Sequence, residues 1–320
     1  MKKILYGLVY GLWYALSLLP SCVLYGLADV LFVLSAYVIR YRHRVIQKNL
    51  RNAFPERSDR ERRRIELRFY RWFCDYLVET IKLMTMKKDE MMKRMTFSNI
   101  EILNEAVSRG QSVALYLGHY GNWEWITTLP LWISSKPQCC QLYHPLENSE
   151  FDRLFKHVRE RHHSLCVPME ESVRRLIKYS QAGSPLIVGF IADQAPLWQN
   201  MHHWTTFLNQ DTPVLTGAER IARKMNMTIV YGDMRRIKRG HYRCDFQLMA
   251  SDPSKTTEWE LTDKYFQLLE QTIRRDPSCY LWSHNRWKRT REEFNHYCYV
   301  DEHGKVMFRK NVGQYQKTKE

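Results

Sequence analysis

The sequence predicts an α/β fold: a mixed, mostly parallel sheet flanked by helices and preceded by a hydrophobic N-terminal helix or helical hairpin. Three observations carry this. Short apolar runs at residues 113–118 and 186–191 are continuous rather than alternating, as in strands buried on both faces of a parallel sheet. Longer stretches of helical period lie between such runs, and that alternation is the signature of an α/β sandwich. A block of apolar sequence fills residues 4–39 and ends at Arg40, where the composition changes most sharply.

Each element follows from its own pattern. Residues 4–39 are interrupted by Pro20-Ser21 and Asp29 and flanked by Lys2-Lys3 and by Arg40, Arg42 and Arg44. Residues 4–19 and 22–39 each fall slightly short of the roughly 20 residues that a bilayer-spanning helix needs. Basic residues at both ends favour a cytoplasm-facing hairpin or monotopic anchor over a single crossing helix. The Leu19-Pro20-Ser21-Cys22 run resembles a lipoprotein cleavage box, but proline stands where a small residue is wanted. The apolar run also continues past Cys22, which argues for a retained anchor.

Ser58-x-x-Glu61 reads as a capping box that opens an amphipathic helix, with Ile65, Phe69, Trp72, Phe73, Tyr76, Leu77 and Ile81 forming its apolar stripe. Further strands are expected at residues 139–143, 186–191, 228–231 and 242–248, the last an alternating run suited to an antiparallel edge. Helices are expected at 151–161, 171–181 and 216–224, with a covering helix at 259–273. No repeat, low-complexity tract or linker divides the chain, so the expected domains are an anchor at 1–44 and a catalytic domain at 45–320.

Charge and cysteine usage narrow the partners. The net charge of +15 is concentrated partly at Arg40, Arg42, Arg44, Lys48, Arg51, Arg57, Arg60, Arg62, Arg63 and Arg64, just after the anchor. Each basic residue near an anionic leaflet contributes about 1 kcal/mol of attraction, and the same field draws an acidic carrier protein or a phosphorylated substrate. No nucleic-acid-binding motif accompanies the charge, so nucleic acid is not an expected partner. The eight cysteines form no Cys-x-x-Cys pair and lie mostly in apolar surroundings, which suits reduced thiols that fill the core.

The sequence carries its chemistry in His119-Tyr120-Gly121-Asn122-Trp123-Glu124, directly after the apolar run Val113-Ala114-Leu115-Tyr116-Leu117-Gly118. If the run is a strand, His119 stands at its C-terminal edge, where open α/β sheets hold ligands. One turn of following helix would return Glu124 toward the imidazole. A neutral histidine beside a carboxylate accepts a proton from a hydroxyl, and the carboxylate fixes the tautomer. His119 is therefore the candidate base and Glu124 its candidate orienting acid. A chance match or a merely packed histidine is the competing reading. Zinc is disfavoured because His-Glu-x-x-His is absent.

In its order of blocks, the chain resembles the lipid A biosynthesis acyltransferase family, within the lysophospholipid acyltransferase-like superfamily. After Leu-Gly-His-Tyr-Gly-Asn-Trp-Glu come His144-Pro145-Leu146-Glu147-Asn148, Phe151-Asp152-Arg153-Leu154 and Ile191-Ala192-Asp193-Gln194. Phe207 through Thr212-Pro213 with Gly217 follows, then Tyr280-Leu281-Trp282 and Arg286-Trp287-Lys288. Members often carry arginine where His144 stands. The resemblance implies a glycerolipid acyltransferase-like sheet. The implied activity is transfer of a fatty acyl chain from an acyl carrier protein or CoA thioester to a hydroxyl of a lipid A precursor, in lipopolysaccharide biosynthesis. The expected location is the bacterial inner membrane with the catalytic domain facing the cytoplasm, and no cofactor or metal is implied.

Backbone amides around Gly121 and Asn122 are then candidates for holding the oxyanion. Asp193 and Gln194 are candidate contacts to the base or to substrate, Asn148 and Thr212 are candidate substrate contacts, and Arg153, Arg159, Arg220, Arg286 and Lys288 are candidate partners for anionic groups. Glycerophosphate-type acyltransferases use His-x4-Asp and a Pro-Glu-Gly-Thr-Arg block. That block is absent here, which favours an acceptor such as a phosphorylated, acylated glucosamine disaccharide. A lysophospholipid or aminolipid acceptor is the alternative within the same chemistry. A non-enzymatic basic membrane scaffold is the alternative outside it, and it leaves His119 and Glu124 without purpose.

Overall fold

The computed structural model of the protein describes residues 2–309. Two N-terminal helices, α1 (Lys2–Leu18) and α2 (Ser21–Val33), break at Pro20, and a π-helical turn extends α2 over Leu34–Val38. After α3 (His43–Ala53) comes the 25-residue α4 (Asp59–Leu83). Its capping box forms as expected: the Ser58 hydroxyl accepts from the Glu61 amide while Glu61 bonds back to the Ser58 amide.

The remainder alternates strand and helix: α5 (Lys88–Arg94), β1 (Met95–Ser98), α6 (Glu101–Ser108), β2 (Val113–Leu117), β3 (Gln138–Tyr143), α7 (Ser149–Glu160), β4 (Ser164–Pro168), α8 (Ser172–Gln181) and β5 (Leu186–Ile191). A hairpin, β6 (His203–Phe207) and β7 (Gln210–Val214), precedes α9 (Gly217–Lys224), β8 (Thr228–Lys238), β9 (His241–Ala250) and α10 (Glu260–Arg275). Near the end come α11 (Arg291–Tyr297) and a small pair, β10 (Cys298–Val300) and β11 (Val306–Phe308).

Seven strands form one sheet in the order β1-β9-β8-β2-β5-β3-β4, parallel throughout except for the β8–β9 pair. The predicted fold class is therefore the observed one. The strand expected at 242–248 is antiparallel to β8 but is not an edge, because β1 pairs with it in parallel on its outer side. β1 and β4 were too short and too weakly apolar to stand out in the sequence.

The aromatic stripe of α4 is core. Phe69 and Trp72 are fully buried, and the Tyr76 ring lies 4.2 Å from that of Trp123, tilted by 31°, while Leu77 faces outward. Such aromatic pairs contribute about 0.5–1.5 kcal/mol beyond the area they bury. The same stripe thus reaches the sheet edge where His119 stands.

The apolar N-terminal segment packs on α4. Leu24 and Ala28 of α2 are buried against Cys74 and Val78. Lys82 donates to the Ser17 and Leu19 carbonyls at 2.9 and 3.0 Å, a cation at the C-terminal end of α1 where the helix dipole favours it. Asp29, which interrupts the apolar pattern, is paired with Arg71 and Arg239 at 3.0 and 2.9 Å. The outer face is apolar and exposed, with Leu8, Leu12, Leu18, Val30, Val38 and Ile39 all facing away from the domain. Residues Ser21–Val38 are long and apolar enough to cross a membrane.

Candidate active site

His119 follows β2 and Asp193 follows β5, and these strands are parallel neighbours with Leu117 opposite Ile191. Two residues further on, the same register sets the histidine opposite the aspartate. Asp193 is 1% exposed and takes two bonds from the same residue. The His119 backbone N–H donates to Oδ2 at 3.0 Å, and the ring Nδ1 lies 2.6 Å from Oδ1. Burial opposes ionisation of Asp193. The nearby imidazole, these two bonds and the Arg286 charge outweigh it and hold the carboxyl below its ordinary value. An ionised Asp193 only accepts, so Nδ1 carries a proton, and in the neutral ring the lone pair is then on Nε2. The Gln194 amide nitrogen sits 3.2 Å from that Nε2.

Glu124 occupies the first turn of a 3-10 helix over Trp123–Leu131, but its carboxylate does not orient the imidazole as the His-x4-Glu spacing suggested. Both of its oxygens are taken by Arg159 of α7, with Nε and Nη2 at 2.7 and 2.6 Å. The turn is 3-10 rather than α-helical, and Trp123, edge-on to the His119 ring at 5.2 Å, lies between the two side chains in the sequence. Asp193, expected as a supporting or a substrate contact, is the carboxylate that bonds the ring.

His119, Glu124, Arg159 and Gln194 all line one pocket of about 560 Å³, a volume typical of ligand sites. Its wall is apolar: Leu115, Leu117, Ile187 and Ile191 from the sheet, Ile126 and Leu129 from the 3-10 helix, and Tyr76 and Phe155 from α4 and α7. His144, Asp152 and Gln194 bring polarity to its lining.

The structure places the other candidates elsewhere. Gly121 adopts φ +61°, and a Cβ there would meet Met234 at 2.5 Å, so only glycine fits; its N–H donates to the Cys279 carbonyl rather than facing the pocket. Asn122 is fully buried, donates to Glu79 at 2.8 Å and accepts from the Trp125 amide, which makes it a strut of the loop. Burial pushes the Glu79 carboxyl up, although the bonds from Asn122 and Tyr242 counter this. Asn148 caps α7 through bonds from the Glu150 and Phe151 amides. Thr212 accepts from Trp287 Nε1 at 2.8 Å inside the core.

Among the basic candidates, Arg153 stacks on Tyr6 of α1 at 3.8 Å, and Arg220 lies exposed on α9. Lys288 is exposed and contributes to the field on His284. Arg286 is 1% exposed and donates to the Pro213 carbonyl at 2.6 Å, so it acts as a buried charge behind Asp193 and not as an open anion ligand.

Sequence reading missed His284. Its Nε2 accepts from the Ala195 amide at 3.2 Å, which ties the loop after β5 to the 280–288 segment. Burial lowers its pKa to about 4, and Arg286, His119 and Lys288 add to this against the opposing pull of Asp193. The Leu281 amide in turn bonds the His119 carbonyl at 3.1 Å. The signal was present in the Tyr280–Lys288 block, but only the pairing of distant loops shows which of its residues reaches the site.

A histidine held by a buried carboxylate, beside an apolar pocket at the C-terminal edge of parallel strands, is an arrangement able to move a proton next to a hydrocarbon-bearing substrate. The family model for bacterial lipid A biosynthesis acyltransferases matches residues 1–289, and the chain belongs to that family. No curated protein matches it.

Proposed function

We propose that the protein is a membrane-bound O-acyltransferase that moves a fatty acyl chain from an acyl carrier protein or CoA thioester to a hydroxyl of a lipid A precursor. The observation that carries this reading is the placement of His119, with Asp193 on its Nδ1, in the lining of the 560 Å³ apolar pocket. The acyl chain lies in that pocket. The acceptor hydroxyl displaces the Gln194 amide from His119 Nε2, gives its proton to Nε2, and its oxygen bonds to the thioester carbonyl carbon. Collapse of the tetrahedral adduct breaks the C–S bond, and the departing thiolate takes the proton back from the imidazolium. Ester and thiol are the products, and no acyl-enzyme is formed.

Glu124 serves this step through Arg159. The fork of two charge-assisted bonds fixes the guanidinium at the pocket wall, where it meets an anionic group of donor or acceptor. The exposed apolar face of α1 and α2 enters one leaflet as a monotopic anchor. The basic residues from Arg40 onward lie at the headgroups on the cytoplasmic face of the inner membrane. Residues 1–44 thus anchor and residues 45–320 catalyse.

The test is mass spectrometry of lipids from cells carrying the wild-type protein, His119→Ala or no protein, together with turnover by purified membranes. Loss of the general base should cost about 10²–10⁴-fold in rate. Lipid A lacking one acyl chain in both deficient strains is the expected result. A change confined to a glycerophospholipid or aminolipid would replace the acceptor, and unchanged lipids with normal His119→Ala turnover would end the reading.

A further inference from the structure

Two glycines sit inside the central strands, and the space above them differs. At Gly232 of β8 an added Cβ would meet Leu117 at 2.5 Å and Cys244 at 2.9 Å, so close packing alone demands glycine. At Gly189, in the middle of β5, the nearest atom is the Cys140 carbonyl oxygen at an ordinary 3.7 Å. Packing does not require glycine there. Yet Gly189 is partly open while its strand neighbours Val188 and Phe190 are buried, and it lines the pocket. Glycine in a strand interior weakens the strand and marks a place where a ligand approaches the backbone.

Strand register shows what the notch connects. Side chains two residues apart share a face of the sheet, so the pocket floor is built in rungs about 6–7 Å apart. Leu117 and Ile191 form the rung nearest His119. Leu115, Gly189 and Gln141 form the middle rung, and Ile187 and Cys139, with Ser164 beyond them, the deepest. All of these residues line the pocket. Leu115 and Gln141 carry side chains on either side of the middle rung, and Gly189 leaves the gap between them.

The geometry points to Gly189 as the residue that sets acyl-chain length. The chain enters at His119, crosses the notch over Gly189 and ends against Ile187, Cys139 and Ser164. This inference rests on the pocket being the acyl site, as proposed above. Any side chain at position 189 closes the middle rung and confines the chain to the part of the pocket nearest His119.

The test is donor selectivity with octanoyl, dodecanoyl and hexadecanoyl thioesters on wild type, Gly189→Val and Cys139→Gly. The quantity read is the ratio of kcat/KM for a short donor over a long one, which does not depend on the fraction of folded enzyme. A single methylene in an apolar pocket changes discrimination by about 10–200-fold, so Gly189→Val should raise the ratio at least tenfold. Cys139→Gly should lower it by extending the floor. Binding is read in parallel from displacement of a fluorescent fatty acid by the same thioesters, with no acceptor lipid present.

Under this inference the gain in affinity with chain length ends at a shorter chain in Gly189→Val than in wild type. Ratios and plateaus that match wild type in both variants would overturn it even if lipid acylation is confirmed. A wild-type protein that binds no acyl thioester would instead bring down the acyl-site reading, and this inference with it.

Discussion

Two buried carboxylates flank the pocket, and they have taken opposite partners. Asp193 holds a histidine through bonds of 2.6 and 3.0 Å, and Glu124 holds an arginine through bonds of 2.6 and 2.7 Å. In sequence Glu124 is five residues from His119 and Asp193 is seventy-four away. In space the order is reversed, because β2 and β5 are in register and the residues just past their ends face each other. Spacing along a chain predicts neighbours within a helix turn, and here the turn is 3-10 and brings Glu124 to α7 instead. What distinguishes the two acids is therefore the element each is built on: a strand end fixed by sheet pairing, against the first turn of a short helix.

The sharpest way to break this comparison is to neutralise each acid in turn. Asp193 accepts both the His119 amide and the ring N–H. In Asp193→Asn only one end of the side chain can accept. If the backbone N–H takes that oxygen, the side-chain NH₂ faces Nδ1 and leaves the proton on Nε2, where the lone pair is needed. Turnover should fall by about 10²–10⁴-fold, a loss comparable to removing the base. Glu124→Gln should cost far less, and its kcat/KM should keep the wild-type dependence on pH. Steady-state rates across pH decide the matter. If Asp193→Asn stays within a few-fold of wild type while Glu124→Gln collapses, the pairing of acid to base assigned here is wrong.

The second acid should show itself in stability. Glu124 is 3% exposed and its arginine partner 22% exposed, so Glu124→Ala leaves a largely desolvated guanidinium without its acceptor. Leaving such a group unsatisfied costs about 1–3 kcal/mol, with the remaining exposure of Arg159 favouring the lower part of that range. Thermal unfolding of Glu124→Ala against Glu124→Ala/Arg159→Met measures it. The double variant should recover most of the lost stability but none of the lost turnover. A loss in the double variant equal to the sum of the Glu124→Ala and Arg159→Met losses would show that the pair does not couple.

These contrasts also show what the sequence could and could not convey. The strand at β2, the continuous apolar β5 and the capping box of α4 were legible because each is set by a local pattern: apolar runs of strand length, or a hydroxyl three residues before a glutamate. His119 was legible because it directly follows such a run. The roles of Asp193, His284 and Arg286 were not, because each is fixed by contact between segments that only the sheet order brings together. Arg286 illustrates the point. Its charge suggested an anion ligand, but the core closes over it and leaves it as the field behind Asp193. Gly189 was invisible for a related reason, since a glycine has meaning only once the space above it is known.

The smallest expected effect concerns the same edge of the sheet under acid. His284 accepts a bond from Ala195 through Nε2, and burial holds its pKa near 4 against an ordinary 6.5. His162, also buried, is lowered to about 4. Between those values the unfolded chain binds more protons than the folded one, so stability rises with pH across the interval from about 4 to 6.5 and falls on acidification. Melting temperature should therefore decline as pH drops below about 6.5, in the direction set by these two histidines. In His284→Gln the side-chain oxygen can still accept from Ala195, but nothing titrates. The decline should become shallower in that variant, with little change near neutrality. A slope identical to wild type would mean that His284 is not held neutral by its surroundings.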